Sequence, residues 1–199
     1  MKGSLIILSF FSVGVLLGYA HLLPEFLIRD NFTEYALYLL MFLVGIGIGS
    51  DPRSLQTIRT MNLTVLLVPL TTIIGTLIGV SCVSLLISDI SLKDIAAIGS
   101  GFGYYSLSSI YITEIRGESL GVVALLANVM REIITLLFTP IFARYFGKLA
   151  PIVCGGATSM DTTLPIITQY VGKDYAVISL LHGTILTVLV PFIVTFILV

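Results

Sequence analysis

Two hydrophobic stretches of this chain are broken in mid-span by small and hydroxylated residues, and nothing else in the sequence constrains its fold as strongly. The first reads Gly99-Ser100-Gly101-Phe102-Gly103-Tyr104-Tyr105-Ser106. The second reads Cys154-Gly155-Gly156-Ala157-Thr158-Ser159-Met160-Asp161-Thr162-Thr163. Lipid offers no water to satisfy free N–H and C=O groups, so unwound backbone at membrane depth survives only inside protein or beside a polar cavity. Paired interrupted segments are also the best sequence pointer to the binding site of a transporter. The plainer reading is a pair of membrane loops with ordinary turn residues.

Composition settles the class. Of 199 residues, 57% are hydrophobic and 11% charged, whereas a soluble domain carries about 25% charged residues. With a mean hydropathy of +1.09, the chain reads as an integral membrane protein. A net charge of -1 leaves no basic face for nucleic acid. Cys82 and Cys154 lack metal-ligand spacing and a CxxC partner, and nothing supports a disulfide between them. Tryptophan is absent, so an interfacial aromatic belt must use tyrosine. Tyr19, Tyr35, Tyr38, Tyr145, Tyr170 and Tyr175 lie near segment ends.

A span needs about 20 apolar residues. Seven segments are expected, at 4–23, 35–50, 63–87, 95–112, 120–142, 152–170 and 175–199. The first follows Met1-Lys2 at once but lacks a small-x-small cleavage site, so it reads as a transmembrane helix. The second ends in alternating glycines, Gly45, Gly47 and Gly49, which permit close helix contact. Pro69 and Gly75 are expected kink points in the third, and Pro191 lies inside the seventh. Segments four and six hold the breaks and are expected to be discontinuous or re-entrant. Connections are short, so residues 1–199 read as a single all-α transmembrane domain. A shift of 55 residues aligns Gly101 with Gly156, Thr113 with Thr168 and Gly117 with Gly172. Each copy would be a broken segment, a charged turn and a long helix, and duplicated units are common in transporters. Orientation is not readable. If all seven segments span, Lys2, Arg53, Arg59, Arg116 and Lys173 face Arg29, Lys93, Arg144 and Lys148, which does not decide the positive-inside rule. Re-entry of either broken segment changes that count.

Segment five carries Asn128, Arg131 and Glu132 in an otherwise apolar run. Spacings of three and four put them toward one face, which Ala124, Thr135 and Thr139 extend as a small or polar stripe. A charge near the bilayer centre costs at least about 2.5–3.5 kcal/mol on insertion scales, and such residues normally face a bundle interior or a cavity. Arg131 and Glu132 are adjacent, about 100° apart on a helix of 3.6 residues per turn, so each needs another partner. Asp161 is one candidate for Arg131. Glu132 can bind a cation or carry a proton; a buried packing network is the alternative for both residues. Asp161 either meets a cationic substrate or proton, or is a solvated turn acid or helix N-cap ahead of Thr162 and Thr163. The glycines of the breaks, Gly99, Gly101, Gly103, Gly155 and Gly156, free backbone groups. Ser106, Ser108, Ser109, Thr158, Ser159, Thr162 and Thr163 offer hydroxyls. Broken-helix N–H groups suit a carboxylate and free carbonyls suit an ammonium, and an amino acid needs both. His182 is either a proton relay or a packing hydrogen bond. No nucleophile elbow, metal-ligand cluster or nucleotide loop is present, so no enzyme activity, metal or cofactor is expected.

Through Gly99–Ser109, then Asn128-Val129-Met130-Arg131-Glu132, then Gly155–Pro165, the chain resembles the bacterial lysine exporter (LysO) family. The resemblance covers most of the chain. It implies export of L-lysine, and of toxic lysine analogues, across the inner (cytoplasmic) membrane against protons. It places an intramembrane glutamate important to the family on Glu132. Members of the family are longer and begin with a further hydrophobic region that contributes another functional acid. This chain is expected to start after that region, with a small separate membrane protein supplying it or with a different assembly, such as a homo-oligomer.

The reading is therefore a multi-pass secondary transporter working by alternating access around two broken segments. Lysine's ammonium group or a proton occupies Glu132 and Asp161 in turn, while Arg131 balances charge in the empty state or meets the substrate carboxylate. The rivals are an ion/proton or carboxylate transporter, which Arg131 favours if the cargo is an anion, and one subunit of a split transporter that is inactive alone.

Overall fold

The computed structural model describes residues 2–20, 63–87 and 89–199, with isolated positions between 22 and 50. Most of the expected second segment, with its glycines Gly45, Gly47 and Gly49, lies outside the described residues, as do the flanking Arg29, Asp51, Arg53, Arg59 and Asn62. All regular structure among the described residues is helical, making this an all-α membrane protein. Helix α1 is Lys2–Tyr19. A 3-10 turn, Leu63–Leu66, leads into α2, Leu67–Ser84. Then come α3 (Leu92–Gly99), α4 (Tyr105–Arg116) and α5 (Glu118–Tyr145). After them run α6 (Ala150–Gly155), a 3-10 stretch Gly156–Met160, and α7 (Leu164–Val171). A 3-10 turn, Lys173–Tyr175, opens α8 (Ala176–Leu198). Among the described residues, three helical stretches are long and apolar enough to cross a membrane: Leu67–Ser84, Glu118–Tyr145 and Lys173–Leu198.

Local chemistry explains the ends. Pro69 falls in the first turn of α2 rather than at a kink, and Pro151 and Pro165 open α6 and α7. In the first turn a missing N–H removes no helical bond. Ser91 caps α3, its Oγ accepting from the Asp94 N–H at 3.2 Å while donating to the Asp94 carboxylate at 2.6 Å. Gly117 ends α4 and Gly172 ends α7, with φ of 94° and 100°. Each N–H returns to the equivalent threonine carbonyl, Thr113 at 2.9 Å and Thr168 at 3.0 Å.

The pairs α3–α4 and α6–α7 are helical hairpins. The start of α3 and the end of α4 are joined by an ion pair from Arg116 Nε to Asp94 Oδ1 at 2.9 Å. Arg116 also donates to the carbonyl of Leu198, at the end of α8. At the other end of the molecule, Lys148 ahead of α6 lies 5.4 Å from the ring centre of Tyr175 after α7. The two hairpins thus enter from opposite ends, and α5 and α8 run between those ends. The units α3–α4–α5 and α6–α7–α8 follow the 55-residue shift closely.

Burial is inverted relative to a soluble protein. Thr72, Ser100, Ser108, Asn128, Thr135, Thr139, Ser159, Thr163, Ser179 and His182 are buried. Phe192 and Phe196 on α8 are 68% and 87% exposed, and Val122 and Leu126 on α5 are also exposed. In hydrocarbon, polar groups go inward because only protein can satisfy them, and apolar side chains lose nothing by facing out. The buried stripe of α5 is Gly121, Ala124, Asn128, Thr135 and Thr139.

Candidate functional site

The hairpin tips meet tip to tip. Phe102, fully buried and with φ of 45°, presents its carbonyl to the Ala157 N–H at 2.8 Å. A positive φ is uncommon for a bulky side chain and persists only where the surroundings over-determine it. Gly156, with φ of 63°, sits against that carbonyl so tightly that a Cβ would overlap it. Gly156, and Gly103 whose Cβ would come within 3.0 Å of the Gly155 carbonyl, are thus needed for backbone to touch backbone.

Helix α5 holds both tips. Asn128 clasps the first: its Oδ1 accepts from the Gly103 N–H at 2.8 Å, and its Nδ2 donates to the carbonyls of Ile98 (3.0 Å) and Ala124 (2.9 Å). Arg131 clamps the second. Its Nε donates to the Cys154 carbonyl at 2.8 Å and its Nη2 to the Val153 carbonyl at 3.0 Å, with Nη1 3.4 Å from the Thr76 hydroxyl. These are the carbonyls at the end of α6, where a cation is favoured. Arg131 is therefore held by α6 and α2, not by Asp161; the ion pair among the described residues is Arg116–Asp94.

His182 secures the second tip from α8. Its Nδ1 lies 3.0 Å from Ser159 Oγ and its Nε2 2.9 Å from Thr72 Oγ1 on α2. Ser159 and Ser179 each bond the other's carbonyl, at 3.0 and 2.7 Å. Gly183 packs against the Ala157 carbonyl and Met160 with no room for a side chain.

Glu132, next in sequence to Arg131, faces the other way. It lines a cavity of about 240 Å³ together with Asp161. Glu132 is the fifteenth residue of the 28-residue α5, about 20 Å from either end at 1.5 Å per residue. Asp161 Oδ1 accepts from the Thr162 N–H at 2.6 Å and the Thr162 hydroxyl at 3.3 Å. Glu132, Asp161 and Thr162 thus share one cavity wall. Asp161 is not the cap of α7; that position is Thr163. Ser106, Thr158, Thr162 and Gly103 line the cavity as well. Gly99, Gly101, Gly155, Gly156, Ser159, Asn128, Arg131 and His182 do not; they build the crossing behind it. Ser108 and Ser109 return their hydroxyls to carbonyls of their own helix.

Five lining residues carried no signal when read one by one: Tyr104, Tyr105, Ala157, Met160 and Thr187. The 55-residue shift marks Thr187, as the counterpart of Glu132. It pairs Tyr105 with Met160, Ser106 with Asp161, and Glu132 with Thr187, and all six line the cavity. The cavity lies where the two units face each other.

The sequence profile of the family described as "Lysine exporter LysO" matches residues 8–198. A protein of Escherichia coli strain K12 named lysine exporter LysO is 37% identical over 164 residues, 82% of this chain. The chain spans 54% of that protein's own length. A Haemophilus influenzae protein, provisionally named a lysine exporter, is 31% identical over 191 residues, covering 96% of this chain and 95% of the other. No solved structure matches. A profile match over almost the whole chain, with the glycines, Asn128, Arg131 and Glu132 gathered at one crossing, places this chain in the lysine exporter LysO family.

Proposed function

We propose that this chain exports L-lysine across the bacterial inner membrane in exchange for protons, by alternating access about the crossing of its two hairpins. One observation carries the reading: Glu132 and Asp161, contributed by different units, line one cavity beside the hairpin tips. A carboxylate held in mid-protein is stable only with a proton, a cation or hydrogen-bond donors. Lysine's ammonium group and a proton compete for that position. Whichever leaves on one side is replaced by the other, and that competition couples lysine exit to proton entry.

The hairpin arrangement supports alternating access. Units entering from opposite ends, with discontinuous helices meeting at their interface, are the construction in which one site is exposed alternately to each side. The placement of Arg131 speaks for a cationic cargo over a carboxylate. Its donors already serve the Cys154 and Val153 carbonyls and Thr76, and it does not line the cavity of Glu132. Toxic lysine analogues with the same charged groups are cargo on the same grounds.

The test is efflux of radiolabelled lysine from cells lacking their own exporter. Wild-type chain should restore efflux, and Glu132→Gln should abolish it while the protein remains folded in the membrane. Normal efflux by the Gln variant would remove the mechanism. Running the assay with and without a small hydrophobic membrane chain decides whether transport needs a partner, and sizing the purified protein decides whether it works as a homo-oligomer.

A further inference from the structure

Each long helix that follows a hairpin carries a proline in its interior, Pro140 in α5 and Pro191 in α8. A proline inside a helix has no N–H, so the carbonyl four residues before it loses its helical hydrogen bond. In α5 that carbonyl belongs to Leu136, which does not line the cavity of Glu132 and Asp161. In α8 it belongs to Thr187, which does.

Thr187 is the twelfth residue of the 23-residue α8, about 17 Å from either end at 1.5 Å per residue. At that depth a carbonyl without its helical donor persists only inside protein that satisfies it or beside a polar cavity. Among the described residues no side chain donates to it, and no backbone N–H from outside α8 does. What lies beside Thr187 is the cavity of the two acids. The shift of 55 carries Glu132 onto Thr187. The two units therefore put an oxygen acceptor at matched positions, a carboxylate in α5 and a main-chain carbonyl in α8.

We propose that the Thr187 carbonyl, freed by Pro191, is a ligand for the side-chain ammonium of the exported amino acid. This rests on the export reading above and deepens it. An ammonium has three N–H donors. Glu132, Asp161 and the Thr187 carbonyl offer it one acceptor each, from α5, from the second tip and from α8. Main-chain carbonyls released from a helix serve as cation ligands in transporters generally. A proton on Glu132 needs no such ring of acceptors. The carbonyl therefore favours the amine over the proton that competes with it.

The experiment measures thermal stabilisation of the purified full chain in lipid nanodiscs by L-lysine. Pro191→Ala restores an N–H to the Thr187 carbonyl. The variant should unfold at the wild-type temperature or above it, because the helix regains a bond. It should nevertheless need about tenfold more lysine for the same stabilisation, the loss expected for one hydrogen bond from a charged group. Pro140→Ala makes the same repair in α5 and should leave the response to lysine unchanged. A wild-type response in Pro191→Ala overturns the assignment. So does an equal loss in Pro140→Ala, or a loss that comes with a lower unfolding temperature. Should Pro191→Ala not fold, Pro191→Leu restores the same N–H, replaces the volume of the ring and is read by the same criteria. If lysine does not stabilise wild-type protein while the fold is intact, the export reading falls and this assignment with it; every other outcome leaves export standing.

Discussion

The first hairpin unit, residues 92–145, and the second, residues 150–198, share one architecture and are held by different means. Both tips unwind at glycine, and both return helices end at a positive-φ glycine bonded to a threonine carbonyl. Yet the first tip is clasped by one neutral amide, Asn128. The second is held by a guanidinium from the other unit and by the His182–Ser159–Ser179 cluster of its own. Backbone demands are identical in the two copies, because any exposed carbonyl at this depth must find a donor. Side chains meeting those demands are free to differ, and so are the groups facing the cavity, where one copy contributes Glu132 and the other Asp161. The matched elements give the two units a common scaffold, and the unmatched acids mark the candidate cavity.

Breaking either tip tests how far the copies are equivalent. The largest effect is expected at Gly156→Val. The residue has φ of 63° and a Cβ would overlap the Phe102 carbonyl, so rigid backbone must move. A loss of about 4 kcal/mol or more, enough to prevent recovery of folded protein, is the expected outcome. The matching Gly101→Val should cost less, because its Cβ would displace the side chains of Asn128 and Ser108, at 2.5 and 2.6 Å, and the bonds of Asn128 are lost rather than rigid backbone moved. Comparing detergent stability of the two variants checks this order, and equal losses would break the argument.

Removing the clasps comes next. Arg131→Met leaves the Cys154 and Val153 carbonyls without donors and should cost about 3 kcal/mol. Asn128→Leu strips the first tip of its neutral clasp and should cost about 2 kcal/mol. Arg131→Lys, with a point charge in place of a planar fork, should recover only part of the loss. Full recovery of both stability and efflux by Lys would show that charge alone matters at this position.

Thr72→Val and Ser159→Ala each remove one partner of His182 and should cost about 1 kcal/mol apiece in thermal unfolding. Because both act through one imidazole, the double variant should lose less than the total of the singles, whereas distant sites add. Strict additivity would separate α2 from the second tip.

The subtlest test moves an acid between copies. In the double variant Glu132→Thr with Thr187→Glu, the carboxylate occupies the related position in the other unit. Stabilisation by lysine should return in part relative to Glu132→Thr alone. No return would mean that the cavity is less symmetric than its lining pairs suggest.

Much of this was legible in the residues. The glycine and hydroxyl runs mark the tips because no helix former occupies them. The stripe Ala124, Asn128, Thr135, Thr139 is readable from helical spacing, and α5 does bury it. The 100° between Arg131 and Glu132 follows from helix geometry and excludes a facing pair between them. The partner of Arg131 was not legible. Asp161 was the obvious charge, but the groups it meets are main-chain carbonyls, and every residue has one. Thr187 carries no signal of its own, because a threonine in an apolar helix usually bonds its own backbone; only its match to Glu132 marks it.

From residues alone followed the membrane class, the placing of the two breaks and the polar stripe of α5, because each is a matter of local composition and spacing. Tertiary structure decided that each broken segment folds back on itself, through Asp94–Arg116 at one end and Lys148–Tyr175 at the other. It also decided that Arg131 secures a hairpin while its neighbour Glu132 faces the cavity. Those outcomes depend on which distant backbone groups arrive at a given side chain, and periodicity along one helix carries no record of what packs against it.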